Sequence, residues 1–115
     1  MKNLEYVLSV CQEKNDNEFT VNNLLEIEGG IQNTLNKIKA CNSLDEAEVH
    51  FNLLDKAQFF LAKMSFKEKV PLSVNLRKFV YDFDRLDDLE QKEYLYSTIK
   101  SGGDYFIIGN DNTTD

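Results

Sequence analysis

A chain of 115 residues, 42% of them hydrophobic and including eight Phe and five Tyr, has enough apolar side chain to close one core without disulfides, which excludes whole-chain disorder. A formal net charge of −7 opposes nonspecific attraction to phosphate and argues against bulk nucleic-acid binding. The two cysteines, Cys11 and Cys41, form no CxxC pair and lie away from the single histidine, so no zinc or redox ligand set is present, and no cofactor motif implies a cofactor.

The opening run MKNLEYVLSVCQEKN meets a glutamate at once and forms no signal-peptide hydrophobic region. No stretch approaches the roughly 20 apolar residues that a membrane helix needs, so the protein is expected in the cytoplasm with no membrane partner. Scarce arginine, abundant lysine and many asparagines have the look of an AT-rich bacterial or phage gene.

Leu4, Val7, Leu8 and Cys11 recur at i, i+3, i+4 and i+7 and predict a first helix over about 4–14. The polar run 15–18 breaks it. Thr20 can cap a second helix, with Phe19 and Leu24 at the two positions of a hydrophobic staple. Gly29-Gly30 then interrupts the pattern, and each glycine costs about 1 kcal/mol in a helix interior. Yet Val21, Leu24, Ile31, Leu35 and Ile38 keep one stripe across the glycines. Glu28 falls on that stripe, where a carboxylate would be buried, so a turn at the glycines stays open.

Ser43 and Glu46 make an S-x-x-E capping box before a helix that reaches Met64 or Phe66. Its apolar residues, among them Leu44, Ala47, Val49, Phe51, Leu54, Phe60 and Leu61, cover roughly 220° of the wheel, which predicts a central helix touched on two or three sides. His50 lies on that arc and is expected as a buried, hydrogen-bonded imidazole. Pro71 stops continuation. Ser73 can cap a fourth helix with the stripe Leu72, Leu76, Phe79, Val80, Phe83 and Leu86. On the same wheel Leu89, Leu95, Tyr96 and Ile99 fall nearly opposite, so the phase must reset, with Asp87 or Asp88 as the new cap and Gly102-Gly103 as the end of a fifth helix. Tyr105-Phe106-Ile107-Ile108 reads as a short extended segment near 104–108, and 110–115 as a disordered tail. The fold class is therefore all-α: one domain over 1–109, a bundle of four to five helices around a central buried helix at about 44–65.

No phosphate loop, nucleophile elbow or metal-ligand spacing occurs. Asp84, Asp87 and Asp88 straddle a helix end rather than converge on a cation, and Asp111, Asn112 and Asp115 lack the glycine and glutamate of a calcium loop. The reading is a non-enzymatic protein-interaction module: a small regulator, inhibitor or assembly subunit, of a phage or mobile-element type. Four residues fall off otherwise regular stripes, Phe59, Val74, Tyr81 and Tyr94, beside the charges Arg77, Asp84 and Arg85. Exposed, they would bind another protein or a second copy as a homodimer; if they fill gaps between helices, they will be buried. Bases dominate from Lys56 to Lys78 and acids from Asp82 to Glu93, and the acidic run would carry a narrower variant, an inhibitor that mimics nucleic acid.

The alternative is a helix-turn-helix regulator. Residues 20–39 can be threaded as helix, glycine turn and recognition helix, with Gln32, Asn33, Asn36, Lys37 and Lys39 offered to DNA. The unbroken stripe, the acidic charge and the scarcity of arginine weigh against it.

Overall fold

The computed structural model describes residues 3–13, 21–67 and 72–101. Those residues form five helices and no strand: α1 (Leu4–Gln12), α2 (Val21–Ala40), α3 (Leu44–Lys67), α4 (Val74–Asp82) and α5 (Leu89–Lys100). The all-α reading holds. Thr20, the Phe19 staple, Pro71, Gly102-Gly103, the segment 104–108 and the tail 110–115 lie outside the described residues.

Local chemistry sets the helix starts. Asn3 caps α1, its side chain accepting from the Tyr6 amide at 2.8 Å. Ser43 accepts from the Glu46 amide at 3.1 Å, and the Glu46 carboxylate reaches back to the Asn42 amide at 2.8 Å, one residue upstream of the usual capping-box partner. Ser73 caps α4 and Asp88 caps α5. Between those last two helices, residues 83–88 turn, and this is where the apolar phase resets.

Helix α2 runs through Gly29 and Gly30 without a break and packs on α1, α3 and α5. Leu24, Ile27, Ile31, Leu35 and Ile38 form its buried stripe. The two glycines do different things. A Cβ on Gly29 would meet open space, whereas one on Gly30 would stand 3.0 Å from the Leu4 Cα and from its Cδ1. Gly30 is thus the point where α1 sits against the backbone of α2. At the other end of α2, the Lys100 ammonium donates to the carbonyls of Lys39 and Cys41, and the Tyr96 hydroxyl donates to Cys41 at 3.4 Å. A cation there satisfies carbonyls that an α-helix leaves unpaired and suits the negative end of its dipole.

Helix α3 packs on α1, α2 and α4 through Ala47, Phe51, Leu54, Ala57, Gln58, Leu61 and Met64. Its buried stripe is narrower than the expected arc. Val49 is 65% exposed, because it falls roughly opposite that stripe at about 100° per residue. His50, expected to be buried, is only half-buried, although its angle on the helix falls between those of Ala57 and Leu61. Leu89 also departs from expectation: as the first residue of α5 it sits off the Leu95–Ile99 side and stays exposed.

The inner face of α4 and the turn after it bury Leu72, Leu76, Phe79, Phe83 and Leu86, as the periodicity requires. Phe79 and Phe83 stack with ring centroids 4.7 Å apart. Burial of each ring stabilises the fold by roughly 1.5–3 kcal/mol, with about 0.5–1.5 more from the ring pair.

Gly29→Ala should raise stability by about 0.5–1 kcal/mol, because it removes a glycine from a helix interior at a point where the new methyl meets nothing. Gly30→Ala should lower it by about 1–3 kcal/mol, because the new methyl meets the Leu4 backbone, which can give only if α1 moves. Chemical denaturation of both variants checks this. Equal shifts in the two would show that the α1–α2 approach is not limited at Gly30.

Candidate partner-binding surface

The chemistry of α4 begins at its N-terminus. The Ser73 hydroxyl accepts from the Leu76 amide at 3.2 Å and donates to Glu28 Oε1 at 3.2 Å, while the Asn75 amide donates to Glu28 Oε2 at 3.3 Å. Glu28 is 7% exposed, so the carboxylate expected to be an awkward burial on the α2 stripe is instead the anchor of α4. An anion beside a helix N-terminus is also favoured by the helix dipole. Along the helix, Gln58 on α3 donates to the Val80 carbonyl at 3.0 Å, and Arg77 Nη1 donates to the Leu72 carbonyl at 3.1 Å. Past its end, Gln91 donates to the Asp82 carbonyl at 3.1 Å and ties α5 to the same corner.

With the inner side of α4 held this way, its outer side is presented rigidly. Val74 and Tyr81, seven residues apart and so on one face, are 69% and 81% exposed. Phe59 and Tyr94 are 65% and 64% exposed. None of these four fills a gap between helices. Phe59 follows Gln58 and Tyr81 follows Val80, so each stands one residue beyond the hydrogen bond that crosses the α3–α4 seam. The Lys63 ammonium lies 5.3 Å from the centroid of the Phe59 ring.

Arg77 is exposed on α4, with Lys78 and Asp82 in an i,i+4 ion pair at 2.8 Å. Asp84 and Arg85 lie in the turn that follows, where the Arg85 guanidinium reaches Asp84 at 4.0 Å and Asp88 at 3.9 Å. Such exposed pairs contribute little to stability and leave the corner polar. Tyr94 stands apart on α5, which packs against α2. Further apolar side chains are exposed that the sequence reading did not single out: Tyr6 and Val10 on α1, Leu25 on α2, Val49 on α3 and Leu89 on α5. Tyr6 and Val10, four residues apart and off the Leu4–Cys11 stripe, carried a helical-wheel signal that could have found them.

Residues 1–101 match the family model described as "Immunity protein CdiI-like". The chain belongs to the CdiI-like immunity protein family. No curated protein and no solved structure matches it. Immunity proteins of this family bind and inhibit toxins and are not themselves enzymes, so a CdiI-like chain is a protein-interaction module whose partner is another protein.

In this CdiI-like chain the helix-turn-helix threading does not form, because α2 is continuous where the turn was placed. Its offered residues divide: Asn36, Lys37 and Lys39 are exposed, whereas Gln32 and Asn33 are partly buried, and Gln32 donates to Asn36 at 3.2 Å. No group of three or more His, Cys, Asp or Glu among the described residues could hold a metal ion. No helix among them is long and apolar enough to cross a membrane.

Both cysteines of the CdiI-like chain are buried. The Cys41 thiol donates to the Lys37 carbonyl at 3.2 Å. Burial pushes this thiol above its ordinary value of 9.0, the Glu46 carboxylate adds to the rise, and the Lys100 ammonium opposes it. The folded chain therefore keeps a proton that the unfolded chain releases, and stability falls as pH rises above the ordinary thiol value. The stability difference between wild type and Cys41→Ala should be constant below pH 9.0 and shrink above it, measured by denaturant titration across the alkaline range. A difference that stays constant would contradict the assignment.

Proposed function

We propose that the chain neutralises a toxin protein in the cytoplasm by covering part of its surface with the outer side of α4 and the adjoining edge of α3. Phe59, Val74 and Tyr81 supply the apolar centre, and Arg77, Asp84 and Arg85 supply polar contacts around it. Tyr94 on α5 would join only a toxin broad enough to reach beyond the α4–α5 corner.

The observation that carries this reading is Tyr81, 81% exposed on a helix whose opposite side is buried and whose start is anchored by a buried carboxylate. Interface hot spots are enriched in Tyr and Arg, and a side chain held on a fixed helix loses little freedom on binding. The family supports a toxin as the partner. A homodimer through the same side chains is the competing use of this face, and sedimentation of the free protein separates the two.

Tyr81→Asp and Phe59→Asp should leave the helical signal and the melting temperature nearly unchanged while weakening toxin binding by about 2 kcal/mol or more each, roughly a 30-fold loss. Growth of cells expressing the cognate toxin with each variant reads the same loss as failed protection. Full protection by both variants would remove this face from the interface, and unfolding of both would place the rings in the core.

A further inference from the structure

Three polar side chains are buried among the described residues: Glu28, Thr34 and Gln58. Thr34 turns its hydroxyl back onto its own helix, donating to the Gly30 carbonyl at 2.8 Å. The other two leave their helices, and both reach α4. Glu28 accepts from the Ser73 hydroxyl and the Asn75 amide, the two residues that flank Val74, and Gln58 donates to the Val80 carbonyl, next to Tyr81. Val74 and Tyr81, the exposed pair on α4, therefore each stand beside a residue that a buried side chain of another helix holds.

Stability alone does not call for this arrangement. Position 28 lies on the stripe of Leu24, Ile27, Ile31 and Leu35, where an apolar side chain would be buried without the desolvation that a carboxylate costs. Helix α4 has nine residues, fewer than a helix needs to stand by itself in water. Leu76 and Phe79 fasten it to the core, but apolar contact is non-directional and resists lifting more than rotation or sliding. Hydrogen bonds are directional, so bonds near both ends of α4 fix its turn about its axis and its place along it. Those two quantities decide where Val74 and Tyr81 point.

Resting on the toxin-binding reading above, we propose that Glu28 and Gln58 are positioning residues of the toxin-binding face: they meet no toxin atom and set affinity by holding α4 in the register that presents Val74 and Tyr81. Glu28, 7% exposed, acts from α2 at the start of α4, and Gln58, 9% exposed, acts from α3 near its end. A side chain already held in its bound direction loses less freedom when the partner arrives, which is how a buried bond on the inner side of a helix raises affinity on the outer side.

The test compares affinity for the purified toxin domain that this chain neutralises with amide hydrogen exchange in the free chain. Glu28→Gln keeps the shape of the side chain and replaces an acceptor oxygen with a donor, and Gln58→Met keeps the length and loses the donor. Each variant should lower toxin affinity about three- to tenfold and speed exchange in α4, with exchange in α1, α2 and α5 as in wild type. In a Val74→Ala/Tyr81→Ala background the same substitutions should cost no further affinity, because the side chains they position are gone. Undiminished losses in that background, or exchange speeded throughout the chain, would make Glu28 and Gln58 ordinary core residues and overturn the proposal. Wild-type affinity in both variants, with binding abolished by Tyr81→Asp, would also overturn it while leaving the toxin-binding face in place. Wild-type binding by Tyr81→Asp would overturn both readings together.

Discussion

Helix α2 has to stay continuous across two adjacent glycines while another helix rests on one of them, and most of the remaining geometry depends on this. Its stripe from Leu24 to Ile38 is shared by α1, α3 and α5, so a turn at Gly29-Gly30 would divide the core between two unconnected surfaces. The missing side chain at Gly30 lets α1 approach through Leu4, and the cost of glycine in a helix is offset by that closer packing. Glu28, two residues earlier on the same helix, reaches Ser73 and Asn75 at the start of α4. The tail of α2 is closed by Lys100 and Tyr96 from α5. One helix thereby sets where α1, α4 and α5 stand.

The consequence for the proposed function is a rigid display. Leu76, Phe79 and Phe83 hold the inner side of α4 and its following turn, Gln58 holds its backbone from α3, and the outer side is left to carry Val74 and Tyr81 into water. Exposed rings are a liability for a monomer unless a partner covers them. Under the proposed toxin-binding reading that liability becomes a means of capture, and pre-ordered side chains reduce what must be immobilised when the partner arrives. The surrounding charges keep such a surface soluble and add selectivity at little cost to the fold.

Much of the helix layout was legible in the sequence because it rests on local rules. The stripes of α1 and α4, the caps at Ser43, Ser73 and Asp88, and the passage of one phase through Gly29-Gly30 all follow from neighbours within one or two turns. The exposure of Phe59, Val74, Tyr81 and Tyr94 follows for the same reason: a residue far from its helix's stripe has nothing to pack on. What was not legible joins distant parts of the chain. Glu28 looked like a defect because its partners lie 45 and 47 residues away. Gly29 and Gly30 look alike in sequence and differ only in whether Leu4 lies opposite. Val49 and Leu89 were assigned to the core from hydrophobicity although each lies off its helix's buried side, and His50 was assigned from its arc, where it is only half-buried. No local pattern carries immunity to a toxin; that came from likeness over residues 1–101.

Hydroxyl-radical footprinting of the free chain and of its complex with the toxin gives the most direct reading of the central claim, because it reports each aromatic side chain separately. Tyr81 and Phe59 should lose most of their oxidation in the complex, while Tyr6, 52% exposed on α1, should keep it and serve as the internal control. Protection of Tyr6 with Tyr81 and Phe59 still oxidised at the free rate would place the toxin on the opposite elements and contradict the account.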